Sequence, residues 1–213
     1  MRIAALMGSY HLDGALATAA AEVLAGARDA GAATETVVLV ERHLEHCRNC
    51  RACAQVPGPD RGACVLDDEL DQVLEPLEAA DALVLGAPVN CGDVNALTRK
   101  LLERMLGCAY WPWERKWPTQ RRRGPARPAV LVTSSAAPAL MTRYLARPLR
   151  TLREMARLLN ARPLGTLVVG LAGQRDFRVN PRDLRRAREL GRRLATCVGE
   201  PAHPPVRIAY PIT

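Results

Sequence analysis

The sequence predicts an α/β fold, a doubly wound parallel sheet with helices on both faces. Five short apolar runs, at residues 3–7, 36–40, 82–87, 129–133 and 166–169, are each bounded by Gly, Pro, Ser or a charge. Helical patterns separate them, at about residues 15–30, 68–79, 94–106, 140–159 and 181–198. Strands that alternate with helices in this way pair in parallel and are covered on both sides.

Taken in order, the first run passes directly into Gly8-Ser9, with no long apolar stretch and no small-residue cleavage site after it. It reads as a strand and not as an export signal, so the expected location is the cytoplasm. The second helix opens at Asp67 and Asp68, both able to cap it, and Leu70, Val73, Leu74 and Leu77 form its apolar face. In the fourth helical stretch Arg143, Arg147, Arg150 and Arg157 recur at helical spacing, as a solvated face does. Five such strands leave two common windings, the dinucleotide-binding order and the flavodoxin-like order 2-1-3-4-5, and both place a ligand at the carboxyl ends of the strands.

The chain reads as one domain over residues 1–200. It carries a Cys-rich insertion at 41–66, an aromatic- and Arg-rich loop at 108–128, and a C-terminal tail at 201–213. Connections that long in a compact domain are usually functional or disordered. Of the 213 residues, 48% are hydrophobic and 24% charged, which excludes collagen-like and wholly disordered classes. No apolar run approaches the roughly 18 residues that cross a bilayer. The net charge of +8 is almost all arginine, since only Lys100 and Lys116 are lysines, and is weak evidence for nucleic acid.

Three loops at strand ends are the candidate ligand site. Gly8-Ser9-Tyr10-His11-Leu12-Asp13-Gly14 joins a strand to a helix and suits a phosphate, with Ser9, His11 and Gly14 as candidate contacts. It is neither G-x-G-x-x-G nor a P-loop. In the second loop, the small residues of Pro88-Val89-Asn90-Cys91-Gly92 let backbone amides approach a planar ligand, and Asp93 or Asn95 can cap the helix that follows. Thr133, Ser134, Ser135 and Ala136 are small and hydroxyl-rich, fit to close the other side of the pocket.

Cys47, Cys50 and Cys53 stand at C-x2-C-x2-C spacing, with Cys64 ten residues further on. Three thiols so spaced can converge on one cubane, and a fourth supplies the last iron ligand. The pattern favours a [4Fe-4S] cluster over zinc, with metal-free thiols also open. Arg48, Arg51 and Arg61 are expected beside the thiols, where they would lower their pKa values. Cys91, Cys108 and Cys197 have no such spacing. Four of the eight aromatics, Tyr110, Trp111, Trp113 and Trp117, fall within eight residues, suggesting a lid or a dimer contact.

Together Gly8-Ser9, the four cysteines followed by Asp67-Asp68, and the run from Asp81 through Pro88-Val89-x-x-Gly92 into Lys100–Arg104 resemble the NADPH-dependent FMN reductase family, and its iron–sulfur flavoprotein branch in particular. The resemblance covers about residues 1–170. It implies the flavodoxin-like order 2-1-3-4-5, with FMN phosphate in the first loop, the flavin ring along Pro88 to Gly92, and Thr133 to Ala136 completing the pocket. Tyr10, His11, Ala15 and Leu16 depart from the family's Ser-Pro-Arg and Gly-Asn-Thr pattern, so phosphate depends more on backbone N–H groups, Ser9 and His11. Asn90 and Cys91 replace a Tyr-Phe pair.

The resulting expectation is an FMN-dependent oxidoreductase. It takes hydride from NAD(P)H and passes electrons to a small-molecule acceptor such as a quinone, a free flavin or a metal centre. No catalytic side chain is required, a homodimer is expected, and neither membrane nor nucleic acid is a partner. The rivals are a non-enzymatic flavin/iron–sulfur electron carrier and a metal-stabilised nucleic-acid-binding or regulatory protein.

Overall fold

The computed structural model describes residues 1–174 and 177–197. The expected helix end at 198 and the tail at 201–213 lie outside them. The strands are β1 (Arg2–Met7), β2 (Ala33–Val38), β3 (Ala82–Asn90), β4 (Asp93–Val94), β5 (Ala109–Tyr110), β6 (Thr119–Gln120), β7 (Arg127–Ser134) and β8 (Ala161–Val169). The helices are α1 (Ala15–Asp29), α2 (Leu70–Ala79), α3 (Ala96–Arg104), α4 (Ala139–Leu145), α5 (Pro148–Leu158) and α6 (Pro181–Thr196).

Five strands pair in parallel in the order β2-β1-β3-β7-β8, which is the expected 2-1-3-4-5 winding. Alternate residues of each strand feed opposite faces. Ile3, Ala5, Val84, Val130 and Val132 pack on one side with α1 and α6. Ala4, Leu6, Leu83, Leu85 and Leu131 pack on the other with α2, α3 and α5. Among the described residues no helix is long and apolar enough to cross a membrane.

Helices α1 and α6 meet at two glycines. A Cβ on Gly191 would sit 1.8 Å from the Val23 carbonyl oxygen, and one on Gly26 would sit 2.0 Å from that of Arg188. Arg188 then bridges the pair, to Glu22 at 2.7 Å and Asp29 at 2.8 Å. Gly191→Val is therefore expected to push the helices apart and lower stability by about 1–3 kcal/mol. Chemical denaturation checks this, and an unchanged midpoint would refute the close approach.

Several sequence expectations need correction. The single helix over residues 140–159 is two, because Pro148 has no N–H for the carbonyl four residues back and its ring would clash there. The chain extends at Ala146, and Pro148 takes the first position of α5. The arginine stripe from Arg143 to Arg157 is therefore not one helical face. The second strand begins at Ala33 and ends at Val38, giving way to a 3-10 turn over Leu39–Glu41. The predicted third helix starts at Ala96, with Val94 in β4. The loop at 108–128 contains a small hairpin of β5 and β6.

Strand β3 also outruns its expected end. Gly8 N–H donates to the Gly86 carbonyl at 2.8 Å. Pro88, two residues on, turns its nitrogen toward the same side, where β1 has ended, so the missing N–H costs no ladder bond. The strand then reverses into β4 through Cys91 and Gly92 at φ of 50° and 81°. Two positive φ values in a two-residue turn match a type I′ hairpin, the turn that follows strand twist.

Candidate functional site

The loops after β1, β3 and β7 leave three adjacent parallel strands at the same edge of the sheet. In the first, Ser9 is buried and its Oγ accepts the His11 N–H at 3.0 Å, while His11 is exposed. Gly14 stands at the N-cap of α1 in extended conformation. No side chain caps this helix, and its first turn holds no acidic residue. Its leading N–H groups and dipole are thus left for an anion.

In the second loop, Pro88 and Val89 are half-buried, while Asn90, Cys91 and Gly92 form the exposed hairpin turn. The Gly92 carbonyl accepts the Arg147 N–H at 2.8 Å, tying the turn to the break between α4 and α5. In the third, Thr133, Ser134 and Ser135 are buried and Ala136 is exposed. Ser135 Oγ accepts the Ala137 N–H at 3.1 Å, while Thr133 Oγ1 is buried with no hydrogen-bond partner. A buried hydroxyl of this kind is a donor that the described residues leave unused.

Cys47, Cys50, Cys53 and Cys64 line one cavity together with Arg48, Arg51, Glu103, Arg104 and Leu106. All seven cysteines are free thiols. Burial pushes the Cys53 thiol up, and the charges of Cys64, Cys47 and Cys50 push it the same way, so the four sulfurs share one field. Among the described residues no three His, Cys, Asp or Glu side chains are grouped so as to hold a single metal ion. The four thiols nevertheless line one cavity, and four cysteine sulfurs are the donor number that an iron–sulfur group takes.

The expected lowering of these thiols by Arg48, Arg51 and Arg61 is not what surrounds Cys53. Arg51 lies between two indoles, 3.9 Å from the Trp111 ring centroid and 4.2 Å from that of Trp113. It donates to the Trp111 carbonyl at 2.7 Å. Arg61 pairs with Asp71 at 2.7 Å and Glu78 at 3.2 Å. The aromatic loop is thereby clamped onto the cysteine segment, with the Trp111 N–H donating to the Ala54 carbonyl at 2.9 Å. The arginine that does reach a thiol is Arg104, whose Nη2 lies 3.5 Å from Cys64 Sγ.

A match to the NADPH-dependent FMN reductases runs over residues 1–176, most of the chain. The chain belongs to that family. It is similar to an iron–sulfur flavoprotein of Methanocaldococcus jannaschii, 29% identical over 104 residues, which make up 49% of this chain and 51% of that protein. It is also similar to an iron–sulfur flavoprotein of Methanosarcina thermophila, 32% identical over 80 residues, or 38% and 39% of the two chains. The chain thus spans about half or less of the length of these curated relatives.

Among solved structures, an NAD(P)H:quinone oxidoreductase from Methanothermobacter marburgensis superposes with a TM-score of 0.70 at 17% identity, covering 91% of this chain and 98% of that one. A flavodoxin from the domain Archaea gives 0.54 at 10% identity, over 94% and 100%. These likenesses establish the flavodoxin-like fold.

In this member of the FMN reductase family, α3 joins the strand-end loops to the cysteine cavity. Its nine residues span about 14 Å at 1.5 Å each. At its start Asn95 caps the Thr98 N–H at 3.0 Å and donates through Nδ2 to the Gly8 carbonyl at 2.6 Å. Thr98 Oγ1 lies 3.2 Å from the same carbonyl. At its middle Lys100 donates to the Leu44 carbonyl at 2.6 Å, and at its end Arg104 reaches Glu45, Asp68 and Cys64. Asn95 was legible as a cap, whereas nothing local in the sequence marks Thr98 or pairs Arg104 with Asp68.

Cys108 lies outside the cavity set. It is buried, and burial, with the charge of Glu78 beside it, pushes its thiol up to about 12. A thiol so raised stays protonated at neutral pH and is a poor nucleophile. In a native alkylation time course at pH 8 followed by peptide mapping, on protein stripped of metal and flavin, Cys108 is expected to remain unmodified while exposed Cys50 and Cys91 react. Labelling of Cys108 at their rate would contradict its burial.

Proposed function

We propose that the protein is an FMN-dependent NAD(P)H oxidoreductase that passes electrons to a small acceptor such as a quinone, a free flavin or a metal centre. The observation that carries this reading is the meeting of the three loops at one sheet edge in a chain of the FMN reductase family. FMN when bound supplies the hydride-accepting ring, so the protein's task is to bind, orient and shield it.

In this reading the N–H groups at the start of α1, with Ser9, His11 and Gly14, hold the phosphate. The hairpin of Pro88, Val89, Asn90, Cys91 and Gly92 lies along the ring, its small side chains admitting backbone N–H groups to the polar ring edge. Thr133, Ser134, Ser135 and Ala136 close the opposite side, and the unpartnered Thr133 hydroxyl supports that assignment. Cys47, Cys50, Cys53 and Cys64 hold a [4Fe-4S] cluster, which when bound supplies single-electron steps. Their shared cavity and the likeness to two iron–sulfur flavoproteins support this.

The chain is proposed to work as a homodimer, since Trp113 and Trp117 remain 62% and 70% exposed. The nucleic-acid alternative is less well supported, because Arg51 already occupies one face of both the Trp111 and the Trp113 rings.

The test is an absorption spectrum of protein purified without oxygen, then denaturation and identification of what is released. FMN in the supernatant, together with steady NAD(P)H oxidation when a quinone is added, is expected. FMN without turnover would favour the electron carrier. A colourless chain that fails to take up added FMN would overturn the reading. Iron and acid-labile sulfide, lost in a Cys50→Ser variant, would support the cluster.

A further inference from the structure

Arg104 is buried against the cysteine cavity, and its side chain and that of Asp68 are both fully shielded from solvent. Its Nη1 donates to Asp68 Oδ2 and to the Glu45 carbonyl, the latter at 2.7 Å. Its Nη2 donates to Asp68 Oδ1 at 3.0 Å and to Cys64 Sγ at 3.5 Å. Asp68 in turn accepts the Glu45 N–H at 2.7 Å and the Leu70 N–H at 3.1 Å. One guanidinium therefore binds the chain just before Cys47, the chain just after Cys64, and a cysteine sulfur. Its Nε is buried with no partner, leaving one more donor on a group that lines the cavity.

Closing a loop needs only neutral donors, whereas desolvating a guanidinium costs several kcal/mol unless anions repay it. Asp68 supplies one negative charge. The contact with Cys64 is suited to a second, because a thiolate takes a charge-assisted bond that a neutral thiol does not.

We infer that Arg104 is a positioning residue for the metal group at Cys64, a fixed cation that makes the group easier to reduce. This rests on the cluster reading above. Reduction adds one negative charge to a thiolate-bound cluster, and a fixed cation with N–H donors to sulfur stabilises the reduced form over the oxidised one. Asp68 acts in the opposite sense, since its carboxylate partly cancels the cation that the sulfur sees.

Two variants should therefore move the midpoint potential in opposite directions. Arg104→Gln removes the cation and is expected to make reduction at least tenfold less favourable, a fall of 59 mV for a one-electron couple. Arg104→Lys keeps the charge but not the fork, so it should fall less. Asp68→Asn leaves the cation uncompensated and should raise the potential. Arg127→Lys is the control, because Arg127 is a half-buried guanidinium whose bonds go to the carbonyls of Leu77, Glu78, Ala80 and Leu159.

The experiment is a redox titration of the purified protein and these variants, followed by paramagnetic resonance, with iron and sulfide counted in each. Opposite shifts at Arg104 and Asp68 with none at Arg127 support the inference. Equal potentials throughout, or falls in both variants, overturn it, since mere loosening of the loop would move both the same way. If Arg104→Gln fails to fold, the Lys and Asn variants still give the sign. Wild-type protein without iron and sulfide overturns the cluster reading itself, and the inference with it.

Discussion

Replacing Arg104 with methionine is expected to cost the folded chain about 3–5 kcal/mol, because it leaves the Asp68 carboxylate buried without its cation. Burial alone would push the Asp68 carboxyl up. The bonds from Arg104 and from the Glu45 and Leu70 N–H groups outweigh it and hold the carboxyl below its ordinary value. A carboxyl lowered by folding stabilises the native state above its unfolded pKa, and that stability is lost as pH falls through the folded value. In the methionine variant the sign reverses, since an unpaired buried carboxylate rises and gains from protonation. The gap between wild type and variant should therefore be widest at neutral pH and shrink on acidification. Denaturant melts at several pH values, on protein stripped of metal, measure it. A gap that stays constant would mean that Asp68 is not charged in the fold. The double variant Arg104→Met, Asp68→Leu should recover most of the loss, because a buried pair replaced by apolar groups is often neutral or stabilising.

What could be read from the chain follows from where its information is local. Residues 82–87 are all buried in the structure, and a central strand covered on both faces must be apolar at every position, so that run announced itself. Strand β2 lies at the sheet edge with only Val37 buried, which is why its apolar end drew the expected strand several residues too late. The break at Pro148 was visible in the letters, but the leucine and arginine spacing on either side masked it. The cysteine spacing carried its own geometry, and the four sulfurs do share one cavity. The cations around them did not. Arg51, adjacent to Cys50, turns to indoles sixty residues away, and Arg104, forty residues from Cys64 in sequence, reaches its sulfur. Charge partners are set by tertiary packing, and a local window does not contain them. Asp68 shows the same limit: read as a helix cap, it accepts the Leu70 N–H, yet its larger interaction is with Arg104.

Gly8→Val is expected to weaken FMN retention about tenfold or more, the second large effect. A Cβ at residue 8 would lie 2.2 Å from Thr98 Oγ1 and 3.0 Å from the Gly86 carbonyl oxygen, and Gly86 belongs to the central strand, which cannot move aside. The strain, about 1–3 kcal/mol by the usual cost of overpacking, is relieved most easily by lifting the loop away from α3. That movement breaks the bonds from Asn95 and Thr98 to the Gly8 carbonyl and carries Ser9 and His11 with it. If those residues and the start of α1 hold the phosphate, the strain appears in the binding constant, where each 1.4 kcal/mol is a factor of ten. Asn95→Ala should act the same way with no steric clash, by removing both the helix cap and the bond to Gly8. Flavin titration of the apoprotein, with circular dichroism to confirm the fold, separates the cases. Two folded variants that bind FMN as the wild type does would move the phosphate away from this loop. Weakened binding in both would place it there and make the N-terminal end of α3 the support on which the site depends.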